Sequence, residues 1–248
     1  MQYVDRERIS PPQFLLSTTA REARREYFEF YRKAREERAQ VRPPEPIGLD
    51  REDVGPRLAR LFRDRCAFCE QRAATSPYRF RPHADASPVT DRKEGHLYYG
   101  WLSPVWENLY PICEGCQPKD PTYFRVKGLR APLPSEDEVG AGVESSRGSW
   151  PFEVREAPLL LDPCEVRSFV PHLAFAVDGS VDWRSPEGRR TIENFRLDRP
   201  DLLTRRQQVF RNHFSDLVDL MEDRGPLEGG PLDFQSLEFG GGWYLLLR

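Results

Sequence analysis

Cys66-x2-Cys69 and Cys113-x2-Cys116 are the residues of this chain whose types and spacing carry the plainest chemistry. Each C-x2-C closes a tight turn that points two sulfurs at one centre. Two such pairs supply the tetrahedral four-sulfur set that zinc prefers. Four thiolates fill the coordination sphere and leave no position for water, so the expected role is structural, with metal binding contributing to folding. A redox pair or reduced core cysteines would each account poorly for two matched pairs. The intervening residues 70–112 are too many for a finger and require secondary structure of their own. A fifth cysteine, Cys164 in "LLLDPCEV", reads as a small buried hydrophobe. The odd count and the lack of a recognisable leader argue against a disulfide scaffold.

The elements that must position these turns are legible in outline. "VGPRLARLF" puts Leu58, Leu61 and Phe62 on one helical face and runs almost directly into Cys66. Upstream, "AREARREYFEFYRKAREERAQ" predicts an amphipathic helix to about residue 40, capped by Thr19 with Glu22 three residues on. Its arginines alternate with glutamates and read as a solvated face. "VRPPEPIGLD" is a linker. "APLLLDP" reads as a buried strand, and "HLAFAVDGSVDW" as a hairpin turning at Asp178-Gly179. "TIENF" opens a short helix. "DRPDLLTRRQQVFRNHFSDLVDLMEDRG" predicts a long one, capped by Asp198 with Pro200 in the first turn. Leu203, Phe210, Phe214, Leu217 and Met221 form its inward stripe, and Gly225 and Pro226 end it. The tail "GGWYLLLR" is expected to dock as a last strand or to serve as a subunit contact. The resulting division is 1–50 helical arm and linker, 51–130 zinc-bound core, 131–150 flexible loop of Pro, Gly, Ser and acid, and 151–248 hairpin and helical region.

Composition bounds the function. The 248 residues are 38% hydrophobic and 31% charged, with a formal net charge of −3. That near-balance excludes a strongly basic coat for nucleic acid while leaving room for a local basic face. No apolar run approaches 18 residues, so no membrane span is expected, and the cytoplasm is the expected location.

A series of motifs carries a resemblance: "CAFCE", "RFRP", "YYGWL", "WENL", "CEGCQPKD", "LLLDP", "VDGSVDW" and "TIENFRLDRPDLLTRR". Over residues 54–214 the chain resembles the HNH endonucleases that act as effectors in anti-phage systems of the Septu and retron-associated type. The resemblance implies an α+β fold: a zinc-supported ββα-metal (HNH-like) core with additional helices and a β-hairpin. It also implies site positions. The general base of the first strand falls on Arg79, a metal-assisting position on Tyr78, the loop-holding asparagine on Asn108, the residue after the last cysteine on Gln117, and a lysine on Lys119. An arginine stays protonated and cannot take a proton from water. It also repels the Mg²⁺ that would stabilise the leaving oxygen. A substitute pair is His83 as base with Asp85 as ligand. His96 is expected to pack near the aromatic segment, and His172 and His213 to be structural or surface residues.

Three functions follow from the resemblance and its departures. In the first, the chain is a catalytically degenerate subunit for binding and assembly. Arg79, Arg81, Lys119, Arg125 and Lys127 then offer phosphate or acid contacts, and an ATPase of the SMC or ABC-like kind is the implied partner. In the second, it is a metal-dependent DNA endonuclease with a rearranged site using Mg²⁺ or Mn²⁺. In the third, it is a zinc-braced adaptor for protein alone, which the acidic 131–150 segment suits.

Overall fold

Helical stripes of apolar residues and short extended runs set the elements that form. The computed structural model describes residues 1–50, 53–89, 92–145, 148, 150–224 and 234–246, with side-chain detail outside 92–94 and 216–224. In chain order the elements are α1 (Thr18–Arg32), α2 (Arg35–Arg38), α3 (Val54–Phe62), β1 (Thr75–Arg79), β2 (Leu109–Cys113), β3 (Val126–Lys127), α4 (Glu136–Glu144), β4 (Ala157–Pro158), β5 (Leu173–Phe175), β6 (Val181–Trp183), α5 (Pro186–Phe195), α6 (Pro200–Arg224) and α7 (Gly240–Leu246). The strands pair as three antiparallel ladders, β1–β2, β3–β4 and β5–β6. The fold is thus mixed α+β with small sheets. One apolar cluster draws on residues from Met1 to Leu245.

The β1–β2 hairpin is central to the site. Its register sets Thr75 opposite Cys113 and Arg79 opposite Leu109. Every residue of β2 is buried, and α3 lies against both strands through Leu58, Leu61 and Phe62. The packing helix therefore precedes the hairpin. After β2 the chain makes only a 3₁₀ turn, Glu114–Cys116. Pro118 and Pro121 follow, and each removes a backbone donor. The helix that a ββα unit carries after its second strand does not form at that point.

Several sequence expectations are corrected. The α1 cap is Ser17, whose Oγ accepts from the Ala20 N–H at 3.2 Å, rather than Thr19. Its helix ends at Arg32, and the extended backbone at Lys33 separates it from the single turn α2. Within 131–150 a helix, α4, replaces the expected loop. Ser135 and Glu138 close a reciprocal capping box, and Val139 and Val143 are buried where α4 packs on α1. "APLLLDP" pairs only through Ala157–Pro158, although Leu160 and Leu161 are buried. α5 begins well before "TIENF", at Pro186 behind the Ser185 cap. The tail forms helix α7 instead of a strand, its first-turn amides at Gly241 and Gly242 each 3.2 Å from the Glu70 carboxylate. That anchor favours a helix start over an extended chain.

The hairpin and the long helix match more closely. β5 and β6 turn at Gly179, whose φ of 84° lies in the left-handed region. Arg206 of α6 reaches this turn, donating to the Gly179 carbonyl at 3.1 Å and to the Leu197 carbonyl at 2.6 Å. The inward face of α6 is Leu202, Arg206, Val209 and Phe210. Phe214, expected on that stripe, is 60% exposed, while its neighbour His213 faces Trp243. The side chains of Leu217 and Met221, and residues Gly225 and Pro226, lie outside the described residues.

Candidate metal centre and the strand beside it

Two turns bring the four cysteines together. α3 ends in left-handed residues at Arg63 and Asp64, which swing the chain into Cys66. The first turn closes when the Glu70 N–H donates to the Cys66 carbonyl at 3.0 Å. The Ala67 N–H donates to the Pro111 carbonyl at 2.9 Å and fastens this turn to β2. Cys113 ends β2, and the Gln117 N–H closes the second turn on the Glu114 carbonyl at 3.1 Å.

All four sulfurs are buried and lie within 4.8 Å of one another. None of the five cysteines is in a disulfide. Cys69 and Cys113 Sγ are 3.7 Å apart. A tetrahedron with Zn–S bonds of about 2.3 Å has edges of about 3.8 Å, so the donor set fits a single ion. The arrangement is a four-cysteine centre able to hold a metal ion. The side chain inside the first turn is also fixed: Phe68 stacks on Phe195 of α5 with ring centroids 3.7 Å apart.

The adjacent strand holds the positions that the resemblance singled out. Tyr78 meets Phe68 and Phe195 edge-on, and burial raises its phenol well above the usual range. It is a packing residue. Arg79 donates through Nε to the Ser103 carbonyl at 3.0 Å and through Nη2 to the Ile47 carbonyl at 2.5 Å. Burial pulls its guanidinium down to about 10, with Tyr27 acting the other way. It therefore stays charged at neutral pH, as a fixed donor. His83 is beside it. Burial, and then the Arg79 charge, push the imidazole down to about 4, so the ring is neutral at pH 7.

Asn108 keeps the holding position. Its Oδ1 accepts from the Arg81 N–H at 2.7 Å, and its Nδ2 donates to the Arg81 carbonyl at 3.0 Å. Gln117 donates through Nε2 to Ser76 Oγ at 3.3 Å. Asp85 forms an ion pair with Arg42 at 2.9 Å, and the expected pair of His83 and Asp85 is not part of any group of three or more such ligands among the described residues. Among the described residues, the four cysteines are the one group of three or more His, Cys, Asp or Glu placed to share an ion.

The basic residues divide. Arg79 turns inward as above. Arg81, expected to meet phosphate, pairs with Glu156 at 2.8 Å, and the carboxylate is fully buried. Glu156 also accepts from Tyr99 Oη at 2.7 Å and from the Ala131 N–H at 3.1 Å. A side chain so engaged is unavailable to an outside anion. Lys119, Arg125 and Lys127 are exposed. Of the remaining histidines, His96 is buried, with Nε2 2.8 Å from the Arg38 carbonyl and its ring near Phe30. His172 Nδ1 lies 2.8 Å from Ser185 Oγ, and His213 Nε2 lies 3.2 Å from the Glu238 carbonyl.

Sequence reasoning missed two arginines at the corner between α5 and α6. Arg196 donates to the Gln117 carbonyl at 3.0 Å. Arg199 lies over the sulfurs, its Nη1 3.4 Å from Cys116 Sγ. The available signal was "RLDRP", a run of charge between two helical patterns where a solvated turn would suffice.

No family model matches the chain. It is 27% identical over 168 residues to the Septu protein PtuA of Bacillus mycoides (strain KBAB4), an alignment covering 66% of this chain and 21% of that protein. The chain thus spans about a fifth of the length of the curated relative it matches. The likeness is a distant one, at the level of family resemblance. No helix among the described residues is long and apolar enough to cross a membrane.

Proposed function

We propose that this chain is an HNH-like, zinc-braced protein that has given up hydrolysis and serves as a binding and assembly subunit of an anti-phage defence complex. One observation carries the reading. At the position that the resemblance assigns to the general base stands Arg79, a cation at neutral pH tied to the Ser103 and Ile47 carbonyls. No cluster of carboxylate or imidazole ligands accompanies it among the described residues. Such a group neither accepts a proton from water nor tolerates a divalent cation beside it. The four cysteines and Asn108 meanwhile keep the hairpin braced, which is what a retained binding role requires.

The distant likeness to a Septu protein supports the defence context. Zinc is the ion that best suits four buried thiolates at these spacings. In this reading residues 51–130 are the metal-braced core, flanked by 1–50 and 151–248. The exposed Lys119, Arg125 and Lys127 supply a modest basic face for DNA, and an SMC or ABC-like ATPase is the proposed partner.

The test is cleavage of plasmid, linear duplex and single-stranded DNA with Mg²⁺ or Mn²⁺, by wild type beside His83→Ala, alone and with a candidate ATPase. The expected result is no cleavage in any arm. Cleavage that His83→Ala abolishes would establish the rearranged nuclease instead. Retarded migration of DNA that Lys119→Ala, Arg125→Ala and Lys127→Ala together remove would support DNA as the ligand. Its absence would leave protein as the partner.

A further inference from the structure

We infer that Arg199 is the outer-sphere partner of the metal, taking up the negative charge that a four-thiolate centre carries and tying metal retention to the seating of the α5–α6 corner. The inference rests on reading the four cysteines as a zinc site. Four thiolates around a divalent ion leave two uncompensated negative charges. All four cysteines are buried, so water screens them poorly, and buried charge without a partner is costly.

Arg199 is placed to compensate. Besides Cys116, its Nη2 lies 3.9 Å from both Cys69 and Cys113 Sγ, so a single guanidinium approaches three of the four sulfurs. Two further contacts aim it. Nε pairs with Asp201 at 3.1 Å, and Nη1 also donates to the Arg196 carbonyl at 3.2 Å. The following Pro200 opens α6 and restricts the backbone of Arg199.

The second cysteine turn is shaped for this group. A Cβ at Gly115 would come within 2.7 Å of Arg199 Nη2. Gly115 is not among the positive-φ residues, so no left-handed backbone accounts for glycine there. The space does. Arg196 completes the clasp on the Gln117 carbonyl. Arg196 and Arg199 together thus tie the second cysteine turn to the start of α6.

The experiment uses the zinc-loaded full chain as wild type, Arg199→Gln, Arg199→Lys and Gly115→Ala. Zinc content is measured first, and then the rate of zinc transfer to excess chromogenic chelator at neutral pH. Arg199→Gln should release zinc about 10–100-fold faster, the range typical when a ligand's hydrogen-bond partner is removed. Arg199→Lys should fall between, keeping the charge but losing the planar fork. Gly115→Ala alters no polar group and should also release faster by crowding the guanidinium out. In cobalt-substituted protein, the sulfur-to-metal charge-transfer band should move to lower energy in Arg199→Gln, a shift that a merely structural role would not produce. Equal release rates and unmoved bands would overturn the inference. If Arg199→Gln does not fold, Arg199→Lys and Gly115→Ala decide by the same readouts. A wild type that binds no metal would sink the zinc reading itself, a result distinct from metal held equally well by every variant.

Discussion

Asn108 grips Arg81 at both ends of one residue, its amide oxygen on the Arg81 N–H and its amide nitrogen on the Arg81 carbonyl. The same nitrogen reaches the Leu102 carbonyl at 3.3 Å, so one side chain pins the exit of β1 to the segment that leads into β2. Asn108→Ala should leave those backbone groups without partners in a dry setting and cost about 2–4 kcal/mol. Asn108→Asp, which keeps the acceptor but sets a buried carboxylate against two carbonyl oxygens, should cost at least as much. Urea unfolding of metal-loaded protein measures both, and a loss below about 1 kcal/mol for the alanine variant would mean the loop holds itself.

Removing one ligand tests the centre. Cys113→Ser should bind zinc weakly and unfold or aggregate, because the binding energy of such a site is folding energy. Chelation of the wild type should lower its melting temperature in the same direction. A soluble, cooperatively folding Cys113→Ser without metal would show that the hydrophobic core suffices alone.

His83 gives a pH signature. Its folded-state pKa is depressed to about 4 from 6.5, first by burial and then by Arg79. The unfolded chain takes up a proton near pH 6.5 that the folded chain refuses until about pH 4. Between those values the unfolded state binds more protons, so stability falls as pH falls through the window. With screening at this partly exposed ring, the loss should be about 1–2 kcal/mol. His83→Gln should flatten the wild-type slope between pH 6.5 and 4 by that amount. Identical slopes would place a charged imidazole in the folded state.

Two phenylalanines one helical turn apart should behave oppositely. Phe210 is 2% exposed and packs on Trp243, so Phe210→Ala should cost about 3–5 kcal/mol. Phe214 is 60% exposed, and Phe214→Ala should stay within about 0.5 kcal/mol. A large loss at Phe214 in the full chain would indicate that a contact covers it in solution.

What the sequence made legible was local. C-x2-C spacing fixes its own turn, and the stripe Leu58, Leu61 and Phe62 defines α3 without outside help. The β5–β6 turn followed from Asp178-Gly179 in the same way. The errors arose where a tertiary partner decides the outcome. The poor helix formers of 131–150 become α4 because Val139 and Val143 find α1, and a capping box was there to start it. Two glycines read as strand or tail, Gly241 and Gly242, become part of a helix start against the Glu70 carboxylate. Arg79 and Arg81 follow the same rule: as letters they suggest phosphate, and only the surrounding carbonyls and Glu156 reveal where their charges go. Arg199 escaped notice because its partners lie 83 and more positions away.

That separation has a consequence for the chain while it is being made. The second cysteine turn can close only after Gln117 has been added, and the four sulfurs can meet once that stretch has left the ribosome, but Arg199 lies 83 residues beyond Cys116. At about 5–20 residues per second the ribosome takes roughly 4–17 s to supply it. In the reading proposed above, a metal taken up during that interval sits among thiolates whose excess charge is still unmatched, open to competing chelators and oxidants. It is secured only when the far half of the polypeptide arrives.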